Sequence, residues 1–399
     1  MIGWGHGRIK PIKTSSLREF DGIIHYRPNN YHCNECGVSR MEDNPFAYKR
    51  FRISYQLLRT VFRYLADLNY TLKMISAELN ISTTQINKYI DSYIVIPPRD
   101  LPEWIGIDEI HNPELSYKNS SYLCVLTDGE RRIPYDILGS RNKAYLNNYF
   151  DGFTKAQREK VKYVTIDLWE SYKAVAKRCF PNCIVAADPY HYCKHLCDGF
   201  DDLRVHLMNQ CEYGSNRYYL LKKWNFLLTT DNVELDNEPQ YNSRFKEKLN
   251  RRDILSMILE EFPILNEAYY LKEEFRHAVA TFDYETMKIT YDAFVNMFKD
   301  SNIREYDEFL NILLNWKEEI LNSFLRPYDE HKLSNALTEN INGKLGTYLA
   351  ISHGIINLTR FRKRALYALN PNILYSVSAT LTSDSKQGKH RGKYRKIKE

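Results

Sequence analysis

Three short apolar runs of this chain each end in an aspartate. They are Trp104-Ile105-Gly106-Ile107-Asp108-Glu109, Val161-Lys162-Tyr163-Val164-Thr165-Ile166-Asp167 and Cys183-Ile184-Val185-Ala186-Ala187-Asp188. Runs this short and apolar read as buried strands. Open α/β sheets place their sites at the carboxyl ends of such strands, so Asp108, Asp167 and Asp188 are candidate site residues. A turn-capping aspartate is the plain alternative for each one taken alone. A fourth carboxylate lies far downstream, in Leu333 to Leu345. On a helix, Asn335, Thr338, Glu339 and Asn342 share one polar face, while Leu337, Ile341 and Leu345 share the opposite, apolar face. The polar face lacks the mixed Lys and Glu of a solvated surface.

Carboxylates brought close repel one another and attract cations. Three of them around two divalent ions make a phosphoryl-transfer site, where the ions activate a water or a 3′-hydroxyl and stabilise the leaving oxygen. Two Mg2+, or Mn2+ in their place, suit such an all-oxygen set.

The elements that must position these groups follow from periodicity. After the first strand, Ser121 to Leu126 and Ile133 to Leu138 read as strands joined by a turn at Asp128-Gly129, an antiparallel meander. Lys143 to Phe150, extending toward Arg158, reads as helix, as do Trp169 to Cys179 and Tyr190 to Leu207. The order β-β-β-α-β-α-β-α is that of a ribonuclease-H-like mixed α/β sheet. In that fold the first and fourth strands are neighbours, which would set Asp108 beside Asp167. The fifth strand lies one place further from the first, so Asp167 is preferred to Asp188 as the second acidic ligand.

This core is expected to span 103–207 and to close at 332–375 with the Glu339 helix. Residues 208–331 carry helical apolar stripes at Tyr218 to Trp224, Ile254 to Glu261, Glu267 to Phe282 and Phe309 to Phe324, and read as a large all-α insertion. Arg360, Arg362, Lys363 and Arg364 form a basic cluster suited to phosphates. The tail 376–399 is basic again from Lys386 onward and reads as a solvated or phosphate-holding segment.

Upstream, Ile96-Pro97-Pro98-Arg99-Asp100-Leu101-Pro102 is a linker, since its prolines forbid helix. Residues 51–96 read as helices: Tyr55 to Leu68, Thr71 to Leu79, and a last one capped by Ser82. Ile75, Leu79, Ile81, Ile86 and Ile90 would form their shared core. The tight link suggests a helix-turn-helix whose Thr83, Thr84, Gln85, Asn87 and Lys88 face DNA, with Lys49, Arg50 and Arg52 alongside; an ordinary helical hairpin is the alternative. Residues 1–50 read as short, irregular and basic. Cys33-Asn34-Glu35-Cys36-Gly37 has the form of half a zinc knuckle, with His6, His25 and His32 as further ligand candidates.

The chain of 399 residues with net charge +6 allows two or three domains and hints at an anionic partner. No apolar segment is long enough to span a bilayer. Met1 to Lys13 lacks the apolar core of a secretory leader. The scattered cysteines fit a reducing compartment rather than a disulfide framework.

Four segments together resemble the DDE transposases of the ISL-three group of bacterial insertion sequences. They are Gly106 to Glu109, Thr165 to Tyr172, Val185 to His191 and Ser334 to Lys344. The resemblance implies a triad of Asp108, Asp167 and Glu339. It also implies cutting at an element's terminal inverted repeats, joining to double-stranded target DNA, assembly of several copies on DNA, and a cytoplasmic, nucleoid-associated location. Asp188-Pro189-Tyr190-His191 is similar to a Cys/Asp-x-x-His signature of several DDE groups, which makes Asp188 and His191 supporting residues. Trp169 would stack on a base near the cut, or belong to the core. One departure concerns the amino end: the family usually has two Cys pairs, and only Cys33 and Cys36 are present. That implies a truncated ribbon and leaves zinc open. Two rival functions remain: a decayed or repurposed DNA-binding protein using the helix-turn-helix, and a structure-specific nuclease of the same fold.

Overall fold

Along Tyr122–Asp128, side chains alternate between two buried faces: Leu123 and Val125 on one, Cys124 and Leu126 on the other. The strand belongs to the five-stranded sheet at the centre of the computed structural model, which describes residues 1–17, 20–49, 51–117, 120–230, 232–328 and 331–377. In chain order the core strands are Trp104–His111, Tyr122–Asp128, Ile133–Leu138, Tyr163–Ile166 and Ile184–Ala187. Their spatial order is fifth, fourth, first, second, third. The first three pair antiparallel, and the fourth and fifth run parallel to the first. The sheet is therefore mixed.

One face packs against Lys143–Asp151, Glu170–Cys179, Pro189–Gln210 and the helical block that follows. The other packs against Ala336–Ser352, Leu358–Leu369 and three upstream helices, Tyr55–Leu65, Leu72–Leu79 and Thr83–Tyr93. The upstream trio begins at caps the sequence announces. Ser54, Thr71 and Ser82 each accept the backbone N–H three residues on. Asn80, in the left-handed region at φ 46°, ends the second helix and turns the chain into the third. Ile75, Leu79, Ile81, Ile86 and Ile90 are all buried, as expected, and share one cluster with Ile341, Leu345 and Phe361.

Three expectations differ from what is found. Residues 1–41 hold strands rather than irregular chain: Ile2–His6, Asn29–His32 and Ser39–Met41 form one small sheet, and Lys10–Leu17 pairs with Phe20–Tyr26. Their alternation is hard to read because the first of these strands is exposed at every position. The helical block is not purely α, since Gln240–Asn242 and Glu247–Leu249 form a hairpin turned by Lys246 at φ 59°. The stretch from Phe309 breaks at buried Trp316 into two helices, Asp307–Asn315 and Lys317–Asn322. Arg50 and the basic tail from residue 378 lie outside the described residues. Among the described residues, no helix is long and apolar enough to cross a membrane.

Candidate active site

Sheet register gathers the three aspartates. Gly106 of the first strand pairs with Thr165 of the fourth, and Ala187 of the fifth pairs with Ile166. Two residues beyond Gly106 is Asp108, two beyond Thr165 is Asp167, and one beyond Ala187 is Asp188. The register thus continues into one row of aspartates across three neighbouring strands. The first strand runs on to His111, so Asp108 lies within it. The fourth strand has ended by then, at Ile166, and the Asn335 amide takes its place beside the first strand, donating to Ile107 O at 2.9 Å.

The Glu339 helix lies over this row. Gly106 permits the approach, because a Cβ there would sit 2.4 Å from Thr127 Oγ1, 2.6 Å from Thr338 Oγ1 and 3.1 Å from Asn335 Oδ1. Thr127 and Thr338 are buried and joined by a 2.7 Å hydrogen bond. The polar face read from sequence is thus turned inward. Asn342 Nδ2 donates to Asp108 Oδ2 at 2.7 Å. Asn335 donates from its backbone N–H to Asp188 Oδ1 at 2.8 Å, and from Nδ2 to Ile107 O at 2.9 Å and Asp167 Oδ1 at 3.3 Å.

His191, in the first turn of Pro189–Gln210, ties Glu339 to the row. Its Nε2 is 3.1 Å from Asp167 Oδ1 and 3.9 Å from Glu339 Oε1. Ligand atoms of Asp108, Glu109 and Asp167 lie within 4.8 Å of one another, as do those of Asp188, His191 and Glu339.

The electrostatics are those of crowded, half-dried acids. Burial, and then the charge of Asp167, push Asp108 up to about 8. Burial raises Asp188 to about 6, against the lowering effect of the Asn335 N–H. Burial also raises Glu339. For His191 burial acts downward, but the Asp167 hydrogen bond and the surrounding carboxylates outweigh it and carry the imidazole up to about 9.

One contributor, Arg141, carried no signal of its own in the sequence. Glu109 pairs with Arg141 and accepts the Tyr172 hydroxyl at 2.5 Å. Arg141 in turn lies 3.7 Å from the Tyr122 ring centroid and 4.5 Å from that of Trp169. Trp169 is half-buried in this stack, edge-on to Tyr172 at 4.6 Å. It therefore packs against Arg141 and Tyr172 while part of its surface stays exposed.

The basic cluster also departs from expectation. Arg364 is 1% exposed and donates to the carbonyls of Leu65, Asp67 and Tyr70 and to the Tyr348 hydroxyl. Arg362 forks onto Asp136 at 2.5 and 2.8 Å. Arg360 pairs with Asp91 at 2.7 Å, and Lys363 donates to the Asp91 carbonyl at 2.5 Å. These four cations bind the last helix to the sheet and to the upstream trio. A spacing that suits phosphates suits carboxylates and helix-end carbonyls equally well, and the fold supplies those.

In the upstream helices, Thr83, Thr84 and Lys88 are exposed, and Gln85 and Asn87 are half-buried. Cys33 and Cys36 lie on the turn between Asn29–His32 and Ser39–Met41, where backbone N–H groups of Cys36 and Glu35 lower the Cys33 thiol. Among the described residues, no third His, Cys or carboxylate completes a ligand set around them. His32 instead hydrogen-bonds Ser39 at 3.0 Å, and His6 bonds Asn29 at 2.8 Å.

A transposase family model, that of the ISL-three DDE group, matches residues 105–365, more than half of the chain. The chain belongs to the ISL-three transposase family. No curated protein matches it. The match spans every residue of the acidic cluster. DDE transposases work with divalent metals, and the cluster can be asked whether it suits one. Asp188 Oδ2, Asn335 Oδ1 and Asn342 Oδ1 are buried acceptors with no hydrogen-bond partner among the described residues. Acceptors without donors, set among repelling carboxylates, are surroundings that a hydrated divalent cation satisfies. The residues fit the ion.

Proposed function

We propose that this ISL-three transposase binds the terminal inverted repeats of an insertion sequence and catalyses divalent-metal-dependent DNA strand cleavage and transfer. The observation that carries the reading is the row Asp108–Asp167–Asp188, with Glu339 held against it through His191. In this reading the catalytic core is ribonuclease-H-like, and its meander with two parallel strands supports that assignment.

Asp108, Asp167 and Glu339 would hold two Mg2+ or Mn2+ ions. Bound there, the cations supply Lewis-acid charge that makes a water or 3′-hydroxyl nucleophilic and stabilises the leaving oxygen. The protein's own part is positional. The sheet fixes the aspartates, the long helix presents Glu339, and His191 stands between Asp167 and Glu339. Asp188 accepts the first N–H of the Glu339 segment and anchors it. In-line displacement at phosphorus asks little else of side chains.

DNA is gripped elsewhere. Thr83, Thr84 and Lys88, with Gln85 and Asn87, form the face of the third upstream helix that would enter a groove. Zinc has no support beyond the Cys33–Cys36 turn.

The test uses purified protein and DNA carrying the ends of its element. Asp108→Ala, Asp167→Ala and Glu339→Ala should each abolish cleavage in Mg2+ while retaining end binding. Full cleavage by Asp167→Ala, with loss in Asp188→Ala, would overturn the choice of second ligand. Binding with no metal-dependent cutting by the unaltered protein would favour a repurposed DNA-binding protein. Cutting of branched DNA without strand joining would favour a nuclease.

A further inference from the structure

Asn335 and Asn342 flank Glu339, four residues before it and three after. On a helix these offsets place all three side chains on one face. Both amides donate into the acidic row, and they do so to different members. Asn342 Nδ2 holds Asp108 Oδ2 at 2.7 Å and reaches the Glu109 carbonyl at 3.4 Å. Asn335 Nδ2 bridges the first strand at Ile107 O and the fourth at Asp167 Oδ1, while its N–H holds Asp188 on the fifth. The Asn335 carbonyl then accepts the N–H of Glu339 itself at 2.9 Å.

The residue type matters. A Lys or Arg at either place would neutralise the aspartate it touched and compete with a cation. A carboxylate would add repulsion. An aliphatic side chain would leave a buried acid oxygen without a donor, which is costly in a low-dielectric site. A primary amide orients a carboxylate and leaves its charge available. Its drawback is the remaining carbonyl oxygen. Both Asn335 Oδ1 and Asn342 Oδ1 are buried with no hydrogen-bond partner among the described residues. Asn335 is 0% exposed. A solvated surface asparagine would show neither feature.

We infer that Asn335 and Asn342 are positioning residues that hold Asp108 and Asp167 in place beneath the Glu339 helix, ready for divalent cations. The inference rests on the acidic cluster being the cation site, and the test separates the two claims. The unaltered full-length protein, Asn342→Ala, Asn342→Ser, Asn335→Ser and Asp108→Asn are titrated with Mn2+ and bound ion is read by electron paramagnetic resonance. Thermal melting and end-DNA binding are measured on the same samples.

Outer partners of metal ligands change ion affinity by about 10–100-fold. Asn342→Ala should therefore weaken Mn2+ binding by about tenfold or more, with DNA binding within about twofold of the unaltered protein. Asn342→Ser, which restores a donor, should recover part of the loss. Asn335→Ser should weaken Mn2+ binding in the same direction. Asn342 is only half-buried, so its variants test the idea even where Asn335→Ser fails to fold. If Asp108→Asn abolishes Mn2+ binding while a folded Asn342→Ala keeps normal affinity, the positioning role is wrong and the cation site stands. If the unaltered protein binds no Mn2+, or Asp108→Asn changes nothing, both claims fall.

Discussion

His191 Nε2 lies 3.1 Å from Asp167 Oδ1, joining the end of the fourth core strand to the helix that leaves the fifth. The contact holds a charge as well as a position. With its pKa raised to about 9, His191 is an imidazolium at neutral pH in the metal-free protein. The sign of the linkage follows: the folded value exceeds the ordinary one, so the contribution to stability is complete below about 6.5 and is lost as pH rises through about 9. NMR of the imidazole in chelator-treated protein should show a midpoint well above the ordinary value. Asp167→Asn should bring it down by about one unit or more. A midpoint near 6.5 in the unaltered protein would contradict the ion pair.

Gly106→Ala tests the seat of the Glu339 helix. The added methyl would stand 2.4 Å from Thr127 Oγ1 and 2.6 Å from Thr338 Oγ1, both on buried side chains. Overpacking of this kind costs about 1–3 kcal/mol, and the helix is the element free to shift. Chemical denaturation should show that loss, and Thr338→Ala in the same chain should recover part of it. Unchanged stability and cleavage in Gly106→Ala would mean that the helix need not sit so close.

Much of the site was legible in the sequence because strands announce themselves. Apolar runs ending in Asp108, Asp167 and Asp188 named the candidates, and the expectation that the first and fourth strands are neighbours came from the ribonuclease-H-like element order. The polar face of Asn335, Thr338, Glu339 and Asn342 was legible from helical spacing. Its burial was not, because spacing says which residues share a face and not what that face meets. Arg141 gave no signal, since its role depends on a cross-element contact with Glu109. The internal partners of the basic run at Arg360 to Arg364 were not legible for a related reason: charge pattern alone cannot tell a phosphate from an internal carboxylate.

Arg364 separates those two readings. It is buried against three carbonyls and a hydroxyl, so Arg364→Met, which leaves those acceptors without donors, should destabilise the protein by about 1–3 kcal/mol. The salt dependence of DNA binding by the folded variant should not change. Wild-type stability, with a salt slope reduced by about one, would restore a phosphate-contact role.

Lys88 is predicted to behave in the opposite way. It is exposed on the third upstream helix, and Lys88→Ala should leave stability within about 0.5 kcal/mol. Affinity for end DNA should fall, and the salt slope should shrink by about one. If this helix reads DNA as proposed, joint replacement of exposed Thr83 and Thr84 by Ala should narrow the gap between end DNA and random DNA. An unchanged preference and slope across these variants would move the DNA-reading surface elsewhere.

Asp108, Asp167 and Glu339 are proposed to converge on shared divalent cations. A crystal grown with Mn2+ and measured at its absorption edge answers this directly. The expected result is anomalous density at coordination distance, about 2.2 Å, from both Asp108 and Asp167, with Glu339 completing the cluster. Density confined to other carboxylates, or none near Asp108 at saturating Mn2+, would contradict the claim.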